Sequence, residues 1–212
     1  MLQPLTTSEM QAFEKFACDN FDITVDDMMQ SAGKAIFDLV VNEIKPKRVL
    51  VVAGKGNNGG DALVAVRLLK EEGVGVEILS PYSDDDSEGA IGQSRLRDIE
   101  FDLIIDALFG FSLKGNPRPP ADEIINQINE SGILVLSVDV PSGLDAQTGQ
   151  VMNPTVKATY TIALGMPKIG LEEHKEYVGK LYLGSLGIPE KAYQELGYYT
   201  PIFLGKTYIP LD

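Results

Sequence analysis

Cysteine and histidine occur once each in the 212 residues. The lone Cys18 excludes an internal disulfide and makes a cysteine-based zinc site implausible. It is expected to pack in the first helix. His174, in the polar stretch "EEHKEY", has no second histidine to share a zinc ion with. Long apolar runs are missing as well: none approaches the ~20 residues of a membrane span. The opening "MLQPLTTSEM" has neither the basic region nor the apolar stretch of a secretory signal, so the cytoplasm is the expected compartment. Positive charge is scarce, with 18 Lys and Arg against 31 Asp and Glu and a net charge of -13. Such a surface repels phosphate backbones and anionic lipid, so neither nucleic acid nor a membrane is an expected partner.

What is present suits one domain with a sizeable core, for 44% of the residues are hydrophobic. Thr6 and Glu9 have the spacing of a capping box, which predicts a helix over residues 6–20. Thr24 caps a second over 24–44, with Met28, Met29, Ala32, Ile36, Leu39 and Val40 as its core face. Then apolar runs alternate with helical segments. "RVLVVAG", "GVEILS", "FDLIIDALFG", "ILVLSVDVPSG", "ATYTIALG" and "GKLYLGSLG" read as strands. Helices are expected from Asp61 to about Glu72, over "AIGQSRLRDI", over "ADEIINQINES" and over "PEKAYQELG", and the tail reads as an edge strand or an oligomer contact. The pattern implies a single α/β domain: a three-layer, Rossmann-like sandwich around a mostly parallel sheet.

In such sheets ligands bind beyond the carboxyl ends of the strands. The first strand runs into "GKGNNGGD", where Gly54, Gly56 and Gly59 fit G-x-G-x-x-G. Glycines let backbone N–H groups approach a phosphate, and a helix N-terminus adds partial positive charge. Asn57, Asn58 and Asp61 do not require an anion. Their oxygens suit a hard group-IA or group-IIA cation, and an Asn pair equally suits a plain left-handed turn. A redox dinucleotide site would want an acid at the tip of the second strand, and Ser80, Pro81 and Tyr82 stand there instead. The third strand ends in Asp106. The fourth ends in Asp139, followed by Pro141, which fixes the turn, and by Ser142. A carboxylate on the floor of an apolar crevice is placed for proton transfer. A serine nucleophile is not indicated, since the motif is not G-x-S-x-G.

"GKGNNGGDALVAVRLL", "DALFGFSLKG", "DVPSGLDAQTG" and "LGMPKIGL" followed by "GKLYLGSLGIP" resemble, in order and spacing, the NAD(P)H-hydrate epimerase family, also called the YjeF N-terminal domain family. The resemblance covers nearly the whole chain. It implies an isomerase that interconverts the R and S epimers of hydrated NADH and NADPH. It also implies a potassium ion, a homodimer, and an S-specific dehydratase, here a separate protein, that completes the repair. Carried over, the substrate contacts are Asn57, Asn58, Gly59, Gly60, Asp61, then Gly110, Phe111, Ser112, Leu113, Gly115, Asn116 and Asp139; the potassium ligands are Asn58, Asp106 and Ser142. Asp139 is the implied catalytic acid/base. Lys114 is added as a phosphate or transition-state contact. Two positions depart from the family pattern, Ala62 where glycine is usual and Gln30 where glutamate is common.

Inversion of a carbon that bears a hydroxyl and a ring nitrogen proceeds by loss and return of water or by ring opening and closure. Either route needs proton transfer and no redox partner. Two other classes make different demands. A dehydrogenase needs the missing acid, and an inert scaffold of the same fold has no need of both Asp139 and "NNGGD".

Overall fold

The computed structural model describes residues 2–82, 101–111 and 113–211. The expected helix over "AIGQSRLRDI", most of the acidic tract before it and Ser112 lie outside the described residues. Helix α1 spans Thr7–Asn20 and α2 spans Val25–Leu39. Both open on capping boxes: Thr6 with Glu9, and Thr24 with Asp27. A single π turn, Val40–Ile44, carries α2 to a left-handed Lys45.

Seven strands of the described residues form one sheet: β1 Arg48–Ala53, β2 Gly75–Leu79, β3 Leu103–Ala107, β4 Leu134–Val138, β5 Tyr160–Leu164, β6 Lys180–Gly184 and β7 Tyr208–Pro210. Their order is β2-β1-β3-β4-β5-β6-β7. All neighbours are parallel except β6 and β7, so the tail is an edge strand. The chain steps one way from β1 to β2 and the other way to β3. The order therefore reverses between β1 and β3, where a crevice opens at the carboxyl ends.

Alternate residues of β1 face opposite layers. Val49, Val51 and Ala53 join the core under α1, α2 and α3 (Asn57–Glu71), while Leu50 and Val52 pack with Ile124, Ile125 and Ile128 of α4 (Ala121–Glu130). Every residue of β3 is buried, as a strand covered on both faces must be. Beyond α4 the helices are short: α5 is Lys175–Val178, and α6 is Glu190–Glu195 with Pro189 as its N-cap residue. The three layers and the mostly parallel sheet are those expected from the sequence.

One boundary differs in a way that matters. Helix α3 starts at Asn57, not Asp61, with Gly56 as its N-cap residue. The asparagine pair and both following glycines are its first turn. Gly59 is there because the helix lies against the end of β1: a Cβ at Gly59 would stand 2.0 Å from the Gly54 carbonyl oxygen. Helix propensity alone makes Gly→Ala stabilising by ~1 kcal/mol. Here the clash with backbone reverses the sign. Gly59→Ala is expected to destabilise the fold by about 1–3 kcal/mol in urea unfolding; a stabilised variant would show that α3 is not held at this distance.

Candidate active site

The carboxyl end of β3 supplies the hub. Asp106 stands beside Ser137 of β4 in register and is wholly buried. Its Oδ2 accepts from Ser137 Oγ at 2.8 Å and from the Ser142 backbone N–H at 2.9 Å. Its Oδ1 accepts from Ser142 Oγ at 2.6 Å and, more weakly, from Leu108 N at 3.4 Å. No lysine or arginine of the described residues pairs with it. Burial raises its pKa and these hydrogen bonds lower it, with burial the larger effect. Ser142 Oγ in turn accepts from Phe109 N at 3.1 Å, and Phe109 O accepts from Asn58 Nδ2 at 2.9 Å. Asn58, Asp106 and Ser142 are thereby joined through one backbone residue. Asn58 Oδ1 is buried with no hydrogen-bond partner among the described residues, which is uncommon and calls for a ligand or a water.

Asp139 follows β4 directly and adopts a left-handed backbone, φ 66°. A non-glycine residue holds that conformation only where its surroundings fix it. They do: its N–H donates to Ile162 O at 2.8 Å, and its side chain accepts from Leu164 N and Phe111 N, each at 3.3 Å. A third donor to the carboxylate was not anticipated from the sequence. Lys168, four residues past β5, is fully buried and donates from Nζ to Asp139 Oδ1. A buried carboxylate among such donors is a fixed, directional group, not a freely solvated one.

These residues open on a cavity of about 510 Å³ at the strand-order reversal. Asn57, Asn58 and Asp61 line it from α3, Gly110 and Phe111 from the loop after β3, and Asp139 and Lys168 from the ends of β4 and β5. Met28 and Met29, expected only as core, form part of its wall, as does Glu14 of α1. The electrostatics are lopsided. Burial, then the charges of Asp139 and Glu14, push Asp61 up to about 8, against a weaker lowering by Lys168. Burial raises Glu14 to about 6.

The remaining expected contacts are placed otherwise. Gly59 and Gly60 do not line the cavity: Gly59 is pressed on Gly54, and a Cβ at Gly60 would meet Met29. Leu113, Lys114, Gly115 and Asn116 also lie outside its lining, the last three exposed. Asn116 Oδ1 accepts instead from Asn153 N at 3.1 Å. Gln30 accepts from Arg67 at 3.0 Å on the exposed side of α2, away from the cavity, so the departure at that position leaves the site intact. Ala62 packs in the core. His174 faces Glu176 and is not part of the lining.

Glu14 and Lys168 were absent from the sequence expectations. Glu14 has the outline of an ordinary polar position on an amphipathic helix, and nothing local marks it. Lys168 carried a faint signal, a single charge among Met166, Pro167, Ile169 and Leu171 between two glycines.

Fold and site together define an α/β protein with acid/base groups in a crevice at the strand-order reversal. A family model described as YjeF-related protein N-terminus matches residues 25–99 and 83–170. The chain belongs to that family. It is 32% identical to NAD(P)H-hydrate epimerase of Lentilactobacillus buchneri, over 89% of this chain and 96% of that protein. It is 36% identical to NAD(P)H-hydrate epimerase of Plasmodium vivax, over 91% of this chain and 72% of that one. It also resembles, at 30% identity, the bifunctional NAD(P)H-hydrate repair enzyme Nnr of Moorella thermoacetica, spanning 41% of its length. The crystal structure of yeast ynu0 (YNL200c) superposes with a TM-score of 0.85 at 24% identity, over 99% of this chain and 100% of that one. That likeness concerns the fold.

The raised Asp61 sets a sign for stability. Its folded value lies above that of the unfolded chain, so the folded protein holds a proton that the unfolded chain gives up. Stability is therefore fully present below about pH 4 and drains away as pH rises toward about 8. Asp61→Asn removes the drain. Its Tm is expected to match wild type near pH 4 and to exceed it at pH 8 by roughly 4 °C or more, as ~1–2 kcal/mol gives in a domain of this size. Equal Tm differences at both values would show that Asp61 does not carry the proton.

Proposed function

We propose that the chain is an NAD(P)H-hydrate epimerase, an isomerase that interconverts the R and S forms of hydrated NADH and NADPH. One observation carries the reading: the Asp139 carboxylate, held by three donors, opens on the cavity that Asn57, Asn58 and Asp61 also line. The epimerases to which the chain is similar over most of its length support it.

The chain's own residues account for the chemistry required. The N-terminus of α3, at Gly56 and Asn57, offers backbone donors to a pyrophosphate, and a Cβ at Gly56 would meet nothing within 4 Å. Phe111 and the two methionines give the apolar wall a ring would lie on. Asp139 takes the hydroxyl proton of the inverting carbon and returns it on the other face. That describes ring opening; in water loss Asp139 in its acid form instead protonates the departing hydroxyl and takes a proton back from the water that adds to the other face, and both routes leave the oxidation state unchanged.

Asn58, Asp106 and Ser142 fit a potassium ion. They are hard oxygen donors; among the described residues one is a buried oxygen without a partner, and one is a buried carboxylate without a cation. When bound, the ion supplies fixed positive charge in an acid-rich cavity, which favours entry of a pyrophosphate. Gly59, Gly60, Leu113, Lys114, Gly115 and Asn116 belong to the same reading as contacts for the distal half of the dinucleotide, beyond the cavity proper. A homodimer in the cytoplasm is part of the proposal too. Tyr199, Ile202 and Leu204 are exposed apolar residues that a second copy would cover. A dehydratase that consumes the S form is the functional partner of this reading, in keeping with the bifunctional NAD(P)H-hydrate repair enzymes to which the chain is similar.

The deciding experiment mixes R- and S-hydrated NADH with an S-specific dehydratase. Adding this protein is expected to drive full consumption; a stall at the S fraction would refute the epimerase reading. Asp139→Asn is expected to keep the fold and to lower kcat by about 10²–10⁴, and wild-type turnover would remove Asp139 from the chemistry. For the ion, Tm is expected to rise with potassium chloride and not with choline chloride, as a ligand bound to the native state requires. The rise is expected to vanish in Asp106→Asn; if it persists, the ion sits elsewhere.

A further inference from the structure

Among the described residues, Lys168 is the one cation of this cavity that is wholly buried. Burying an ammonium costs several kcal/mol even when it is paired, and a buried pair is often no better than packed hydrocarbon. The pair with Asp139 therefore needs a reason beyond stability. Its position supplies one. Lys168 starts the 3-10 turn Ile169–Leu171, and its backbone is pinned from both sides: Leu5 N donates to Pro167 O at 2.8 Å, and Ile169 N donates to Leu5 O at 3.2 Å. The ammonium has three N–H groups. One is directed to Asp139 Oδ1 and one to Leu164 O at 2.7 Å. No described residue takes the third. Lys168 nevertheless lines the cavity, with Nζ 5.7 Å from the centre of the Phe111 ring on the same wall.

We infer that Lys168 is a further catalytic residue: it fixes the Asp139 carboxylate, and its third N–H donates to the oxygen of the hydroxyl undergoing inversion. This rests on the epimerase reading. The oxygen is the atom whose charge changes in both routes. In ring opening it passes its proton to Asp139 and carries alkoxide charge until its lone pair forms the carbonyl, as the carbon–nitrogen electrons move to nitrogen and Asp139 hands the proton on to that nitrogen; closure reverses each transfer. In water loss it departs with the carbon–oxygen electrons and takes a proton from Asp139 in its acid form, and the water then adds to the other face and returns that proton to Asp139. A preorganised donor stabilises the charge in each case, and no proton leaves Lys168. Asp139 and Lys168 then act on one atom from neighbouring strand ends, with Asp61 on α3 and Glu14 on α1 as the other acids that face them.

The test begins with wild-type turnover of hydrated NADH. If wild type is inactive, the epimerase reading itself fails. With wild type active, Lys168→Met, which keeps the stem and loses the ammonium, is expected to lower kcat by about 10²–10³ while KM stays within a few-fold. Lys168→Ala opens an amine-sized space at the cavity floor, and methylammonium is expected to restore its kcat but not that of Asp139→Asn. A structural brace would not respond to an added amine. Wild-type kcat in Lys168→Met, or a folded Lys168→Ala that methylammonium leaves inactive, would overturn the inference. Should both variants fail to fold, ¹⁵N-lysine NMR of the wild type decides: the buried ammonium signal is expected to shift on adding hydrated NADH. An unmoved signal, while other cavity signals shift, would equally overturn it.

Discussion

A carboxylate without a counter-charge among the described residues, set at the end of a fully buried strand, is the constraint from which the rest of the site follows. Asp106 is surrounded by donors from three places: its neighbour in the sheet, the turn after β4 and the backbone just beyond itself. Those bonds do not merely satisfy it. They tie the loop after β3 to the loop after β4, because Ser142 is bound both to Asp106 and to Phe109. Phe109 then holds Asn58 at the start of α3. Three strand ends are locked together by groups that are nearly all buried. Removing the carboxylate would loosen the turn that carries Asp139 as well as the proposed ion ligands.

The cavity built on this frame concentrates acid. Glu14, Asp61 and Asp139 face a space in which Lys168 is the one buried cation among the described residues. Such a site looks hostile to a substrate carrying a pyrophosphate. Two features oppose that. Asp61 is held neutral up to about pH 8 by burial, so it adds little negative charge at neutral pH. Asp139 is neutralised in place by Lys168. The field at the α3 N-terminus is therefore less negative than the count of carboxylates suggests. A cation held by Asn58, Asp106 and Ser142 would tilt it further.

Much of this was legible in the chain. Alternation of Val-rich runs with helical segments defines the α/β sheet, and the Thr6–Glu9 capping box and the Thr24 cap predict where α1 and α2 begin. Asp106 and Asp139 could be picked out because each ends an apolar run, and strand ends are where such sheets place their chemistry. What escaped was whatever depends on distant packing. Helix α3 begins four residues early because Gly59 is pressed against Gly54, a contact between strand and helix that propensity does not encode. Lys168 escaped for the same reason. Nothing in "LGMPKIGL" says that this lysine is buried, since its burial comes from Leu5 pairing with that segment across more than 160 residues of chain.

The strained backbone of Asp139 brings these threads together. A left-handed aspartate after a strand costs roughly 1–3 kcal/mol and persists only when its surroundings outweigh that cost. Here its own N–H is tied to β5, and its two carboxylate oxygens are tied to different segments, Oδ2 to Phe111 and Oδ1 to Leu164 and Lys168. An extended backbone would keep β4 running and send the side chain to one face of the sheet, away from the crevice. The left-handed turn instead ends the strand and points the carboxylate between the loops after β3 and β5. The fold thus spends local stability on direction, and direction is what a single proton-transferring group needs when it must serve both faces of one carbon.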